Sequence, residues 1–156
     1  MSKIYSLNNF CNYVLPKLKF FKKKLVFTNG CFDIVHVGHL DYLYKASNYG
    51  DILIIGVNSD DSVKRLKGLD RPINQLESRV LFLSYFHFVD YIIPFEEDTP
   101  LQLIQAISPD VLVKGSDYAI HNIVGFDWVN SYNGLVATID LVEGHSTSSI
   151  INKIKR

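Results

Sequence analysis

Leu7, Phe10, Cys11, Val14, Leu15 and Leu18 recur at three- and four-residue intervals, the spacing that gathers apolar side chains on one face of a helix. This predicts an amphipathic N-terminal helix, kinked or ended near Pro16, whose ring removes a backbone donor. A different rhythm follows. Leu25–Thr28 and Ile52–Val57 are continuous apolar runs, short enough to read as strands buried on both faces. Tyr91–Ile93, Val111–Val113 and Leu135–Leu141 continue that series. Helices are predicted between them. One runs from about Gly38 to Asn48, with Gly50 as its C-terminal cap. A short one runs from an Asp60 cap toward Leu66. Others span Asn74–Tyr85, Pro100–Ile107 with proline in the first turn, Phe126–Asn133 and Ser146–Lys155.

Buried strands alternating with helices imply an α/β fold, a parallel sheet covered on both faces. Ligands of such sheets sit at the carboxyl ends of the strands. With 156 residues, no repeat and no Pro/Gly/Ser linker, the pattern reads as one domain. Residues 1–23 form an N-terminal helix and basic loop, and 24–156 form the core.

Composition narrows the function. Hydrophobic residues make up 47% and charged residues 21%, as in a globular chain. Sixteen cationic and sixteen acidic residues give zero formal charge, which argues against a general nucleic-acid or membrane-surface binder. Lys17, Lys19, Lys22, Lys23 and Lys24 cluster early and read as a solvated loop. Lys64, Arg65, Lys67 and Arg71 form a second cluster, at the end of the second strand. The two cysteines, Cys11 and Cys31, lack metal-ligand spacing and suit a reducing cytoplasm. No apolar run is long enough to span a membrane.

Chemistry concentrates in Thr28-Asn29-Gly30-Cys31-Phe32-Asp33-Ile34-Val35-His36-Val37-Gly38-His39. The segment leaves a strand and enters a helix. Gly30 and Gly38 permit close approach of the backbone to a ligand. A helix start near Gly38 offers unpaired N–H groups and positive dipole to a phosphate. His36 and His39, three apart at that start, can set both imidazoles beside one anion and stabilise developing charge. No further ligands stand at metal spacing, which disfavours a metal centre here.

Thr28 to His39 resembles the signature of the cytidylyltransferase-like superfamily, with its His-x-Gly-His motif. From about Lys24 onward the chain is similar to adenylyltransferases acting on D-glycero-D-manno-heptose 1-phosphate, separate proteins or one domain of a bifunctional enzyme. That similarity is carried by Asn58-Ser59-Asp60, Lys64-Arg65-Leu66-Lys67-Gly68, Arg71-Pro72, Glu77-Ser78-Arg79, Phe95-Glu96-Glu97-Asp98-Thr99-Pro100, Lys114-Gly115-Ser116-Asp117-Tyr118 and Glu143-Gly144-His145-Ser146-Thr147-Ser148. The resemblance implies a Rossmann-like, doubly wound fold. It implies transfer of AMP from ATP to a heptose 1-phosphate by direct attack on the α-phosphorus, with release of pyrophosphate. It also implies a divalent cation, Mg²⁺, on the phosphates and no covalent intermediate, so neither cysteine is needed.

Carried over residue by residue, the resemblance makes His36, His39 and Lys67 catalytic. It makes Thr28, Asn29, Gly30, Phe32, Asp33, Gly38, Lys114, Gly115, Asp117, Ser146, Thr147 and Ser148 nucleotide-binding, and Arg79 part of the nucleotide-binding site or of its supporting shell. Lys64, Arg65 and Arg71 meet the substrate phosphate. Lys64, Arg65 and Lys67 are expected on a loop, while Asp117 and the Ser146–Ser148 stretch also suit ordinary capping. Two departures stand out. Leu141 occupies a position that is arginine in some polyol-phosphate relatives, and His145 replaces a smaller or apolar residue. Trp128 reads as core or interface. The aromatic run of Phe82, Tyr85, Phe86 and Phe88 exceeds what one helix face buries, so a homodimer is expected. A non-catalytic nucleotide-binding module, a cytidylyl- or guanylyltransferase and a flavodoxin-like carrier are the rival readings.

Overall fold

The computed structural model describes residues 3–142, 144 and 147–154, without the side chains of 148, 149 and 152. Five strands form one parallel sheet: β1 Leu25–Gly30, β2 Ile52–Asn58, β3 Tyr91–Phe95, β4 Val111–Gly115 and β5 Leu135–Ile139. Their spatial order is β3-β2-β1-β4-β5. The chain therefore steps outward from β1 through β2 to β3, then crosses back and steps outward through β4 to β5. This reversal makes the fold doubly wound and Rossmann-like, and it opens a crevice between the ends of β1 and β4, where such folds take ligands. β3 is an edge strand, which is why Pro94, lacking an N–H, is tolerated inside it.

Both faces of the sheet are covered. On one lie α3 Val37–Ser47 and α5 Leu76–Ser84, whose Tyr42, Leu43, Ala46, Val80 and Leu83 join Val26, Ile55 and Val113 in one core. On the other lie α6 Leu101–Ile107, α7 Phe126–Ser131 and the N-terminal segment. Their Phe10, Leu15, Ile104, Ile107 and Val129 pack on Phe27, Ile54 and Leu112. The N-terminal segment is helical throughout, as α1 Leu7–Asn9, a π-turn Phe10–Val14 and α2 Leu15–Phe20. Pro16 does not end the helix. It sits in the first turn of α2, where a missing N–H has no helical partner to lose, and the π-turn before it takes up the distortion. The remaining helices are α4 Asp60–Lys67 and α8 Thr147–Ile154, with a 3₁₀ turn at Ile120–Asn122.

Three local expectations change. Lys64, Arg65 and Lys67 lie on α4, not on a loop. Its cap is Ser59, whose hydroxyl accepts the Ser62 N–H at 3.2 Å. Asp60 instead supplies first-turn charge and pairs with Arg79 at 2.7 Å. Gly50 does not cap α3, which ends at Ser47 with Asn48 as its C-cap. A Cβ at Gly50 would lie 2.6 Å from the Lys24 carbonyl oxygen, so this glycine serves close approach to the entry of β1.

Candidate active site

The loop leaving β1 is shaped by Phe32 and Gly30. Phe32 takes a left-handed conformation at φ 48°, and its ring folds back over Gly30, where a Cβ would lie 3.0 Å from the ring edge. Only glycine leaves that ring its place. The loop then delivers His36 to the cap of α3. His36 Nδ1 accepts the Gly38 N–H at 3.1 Å, and His39 Nδ1 accepts the His36 N–H at 3.4 Å. The pair thus forms a reciprocal capping box with imidazoles in place of the usual hydroxyl and carboxylate. The rings lie 4.0 Å apart between centroids and tilt by 34°.

This geometry selects a tautomer. A ring whose Nδ1 accepts a hydrogen bond carries its proton on Nε2 when neutral. Burial, reinforced by the neighbouring His36 ring, pushes the His39 pKa down to about 4. His39 is therefore neutral near pH 7 and presents an N–H donor, suited to polarising an anion without carrying charge of its own.

Both rings line a cavity of about 600 Å³ at the ends of β1 and β4, within the range of small-molecule sites. Its cationic wall comes from three elements: Lys67 at the end of α4, Arg71 beyond it and Lys114 on β4. Burial lowers the Lys114 pKa, while Asp117 opposes that shift. The Lys114 ammonium donates to the Asn29 carbonyl oxygen at 3.3 Å and lies 5.6 Å from the centre of the Tyr118 ring. Gly115 is pressed by its neighbours, since a Cβ there would lie 2.6 Å from the Asp117 carboxylate and 3.3 Å from Leu141.

Asp33 borders the cavity, yet its oxygens are already engaged. Its side chain is 1% exposed and accepts from the Arg71 guanidinium at 2.6 Å and from the Ile73 and Asn74 N–H groups at 2.8 Å each. These donors hold its pKa below the usual carboxylate range against the effect of burial. Asp33 thus fixes the 71–74 segment and sets Arg71 at the cavity.

Asn29, Gly30, Phe32, Gly38, Asp117 and Thr147 also line the cavity, and the Thr147 hydroxyl donates to the Ile34 carbonyl at 3.2 Å. Four expected contacts are placed elsewhere. Thr28 is fully buried beneath the site, with its hydroxyl 2.7 Å from that of Tyr42. Arg79 is buried and does not reach the cavity. It donates to the carbonyls of Asn74, Cys31 and Asn58 at 3.0, 2.6 and 2.8 Å, tying the ends of β1 and β2 to α5. Lys64 turns to Asp61 at 3.0 Å, and Arg65 to Asp98 at 2.7 Å and the Glu96 carbonyl at 2.6 Å. Ser146, His145 and the Ser148 side chain lie outside the described residues. The cavity also draws in Asp98 and Tyr118, which stand in stretches that carry the family resemblance but were assigned no role, and Asn122, which stands in none.

A family model described as cytidylyltransferase-like matches residues 27–153. The chain belongs to the cytidylyltransferase-like family. It is a nucleotidyltransferase, as the imidazole pair and cationic cavity at the crevice of a doubly wound sheet would serve. The bifunctional protein HldE of Helicobacter hepaticus is 57% identical over 135 residues, which cover 86% of this chain and 27% of that protein. HldE of Campylobacter jejuni serotype O:6 is 55% identical over 142 residues, 91% of this chain and 30% of that protein. HldE of Geobacter metallireducens is 53% identical over 134 residues, 86% of this chain and 27% of that protein. The chain thus spans under a third of the length of these relatives. Among solved structures, a lipopolysaccharide core biosynthesis protein from Thermoplasma volcanium superposes with a TM-score of 0.62 at 26% identity, covering 79% of this chain and 99% of that one. Pantoate-beta-alanine ligase from Francisella tularensis superposes with a TM-score of 0.65 at 15% identity, covering 99% of this chain and 77% of that one, a likeness of fold alone.

Proposed function

We propose that this nucleotidyltransferase moves AMP from ATP onto a heptose 1-phosphate, releasing pyrophosphate and giving an ADP-heptose for surface polysaccharide. The observation that carries the reading is the capping arrangement of His36 and His39. It fixes two Nε2–H tautomers on a helix N-terminus at the crevice where a triphosphate fits. In this reading the acceptor phosphate attacks the α-phosphorus in line. The imidazoles donate to oxygens on which charge accumulates, and Lys67 and Lys114 neutralise the departing pyrophosphate. Arg71, held by Asp33, receives the acceptor phosphate. Such transfers depend on position and charge rather than covalent chemistry. The substrate assignment is supported by the HldE relatives, whose resemblance covers nearly the whole chain.

Among the described residues no group of three His, Cys, Asp or Glu side chains could hold a metal ion. In this reading a Mg²⁺ ion would supply positive charge against the phosphates. Among the described residues no helix is long and apolar enough to cross a membrane. Cys11 and Cys31 are both free thiols, which suits a reducing cytoplasm. The assembly we propose is a homodimer through α5 and its following turn, where Phe82 and Tyr85 are 51% and 77% exposed. The assignment is tested by a pyrophosphate-release screen of four nucleoside triphosphates against a panel of sugar 1-phosphates. Turnover confined to ATP with a heptose 1-phosphate is expected, and no turnover with any pair would overturn it.

A further inference from the structure

Zero net charge conceals an asymmetry. Residues 1–32 contain six lysines and neither aspartate nor glutamate, so the rest of the chain is net negative. Five of those lysines, Lys17, Lys19, Lys22, Lys23 and Lys24, are all exposed, and none forms an ion pair among the described residues. Two carboxylates near this corner bond main-chain groups. Asp51 accepts the main-chain N–H of Lys24 at 2.8 Å, and Asp110 that of Leu25 at 2.7 Å.

The same corner exposes aromatic surface. Phe20 and Phe21 are 80% and 70% exposed, with their rings edge to face at 5.2 Å. They share a helix face with Lys17, three and four residues before them. Lys22, at φ 52°, then reverses the chain, and Lys23 and Lys24 lead into β1. Two bare rings ringed by lysines are the pattern of an element that lies on a charged interface, where rings enter and ammonium groups stay at headgroup level.

We propose that the corner formed by the end of α2 and residues 21–24 docks on an anionic lipid surface, with Phe20 and Phe21 entering the headgroup–acyl boundary and the lysines meeting lipid phosphates. The cationic side chains of the corner are all lysine. Mobile point charges suit a fluid anionic surface, whereas phosphate readout in nucleic acids favours the planar fork of arginine. The two rings are also largely exposed, and neither lines a groove of the kind that would track a strand. The corner lies at the entry to β1, and the cavity lies at its exit, about 17 Å away along a six-residue strand. Docking therefore leaves the cavity turned toward solvent.

The test is co-sedimentation of the full chain with vesicles of phosphatidylglycerol and phosphatidylcholine, against vesicles of phosphatidylcholine alone. Preferential partition to the anionic vesicles is expected, weakening as salt rises toward about 0.5 M because surface charge is screened. Each lysine near such a surface strengthens binding about fivefold. The triple variant Lys22→Ala, Lys23→Ala, Lys24→Ala should therefore lose partition by roughly a hundredfold. Phe20→Ala with Phe21→Ala should lose partition that salt does not restore. Both variants should keep pyrophosphate release and thermal midpoint. Equal partition to both vesicle types, no binding, or binding that neither variant alters would overturn the proposal. Retention on a single-stranded oligonucleotide in place of vesicles would assign the corner to nucleic acid instead, and so also overturn it.

Discussion

His39 stays neutral where an ordinary histidine begins to charge, and two measurable effects follow. The first is on turnover. Preorganised donors of this kind contribute about 2.7–4 kcal/mol each, so His36→Ala and His39→Ala should each lower turnover by roughly a hundredfold to a thousandfold. Near-wild-type rates in steady-state pyrophosphate release would show that the rings are caps and nothing more. The second is on stability. The folded pKa is about 4 against an ordinary 6.5, so between these values the unfolded chain binds a proton that the folded chain refuses. Stability from this group is present above pH 6.5 and is lost as pH falls toward 4. Thermal melts should show a shallower decline over that window in His39→Asn than in the native chain, and parallel declines would contradict the shift. The two histidines were visible in the sequence because spacing and a following helix sufficed to place them. The partners of Asp33 were not. They lie on residues 71–74, and nothing local predicts which distant segment will fold under a carboxylate.

The strands show the same division at the level of elements. Their existence and order of appearance were legible because continuous apolar runs admit few alternatives, whereas their ends were misplaced by up to two residues. Chain entry into α4 was misread because Ser59 and Asp60 can both cap, and only the Asp60–Arg79 pair settles which one does. Arg79 is the element-scale counterpart of a core residue. It joins the exits of β1 and β2 to α4 and α5, bonding Cys31 and Asn58 of the cavity wall from behind without lining the cavity itself. Removing one partner from such a buried arrangement leaves carbonyls and a carboxylate unpaired. Arg79→Ala should therefore cost about 3 kcal/mol of stability, seen as an earlier urea midpoint. An unchanged midpoint with lost activity would instead mean that Arg79 acts on substrate directly.

At the scale of the whole molecule, the doubly wound order brings together ends of β1, β2 and β4 that are far apart in sequence, and charge then divides the surface by function. The crevice end collects Lys67, Arg71 and Lys114, while the opposite corner carries the lysines of residues 17–24, without ion pairs among the described residues. Exposed aromatic surface on α5 remains uncovered in a single copy. Light scattering at micromolar concentration should give the mass of a dimer, and Phe82→Ser with Tyr85→Ser should give a monomer. A monomer mass for the native chain would count against the assembly. The acceptor pocket sets the most direct test. A site shaped to hydrogen-bond several sugar hydroxyls leaves its polar groups unpaired with a shorter substrate, and such gaps can cost roughly 10⁴-fold in specificity. Leu141 at the cavity wall, in place of the arginine of polyol-phosphate relatives, points the same way. The measurement is kcat/KM for pyrophosphate release from ATP with D-glycero-D-manno-heptose 1-phosphate, beside CTP with glycerol 3-phosphate. A higher value for the first pair by several orders of magnitude is expected, and a higher value for the second would contradict the heptose assignment.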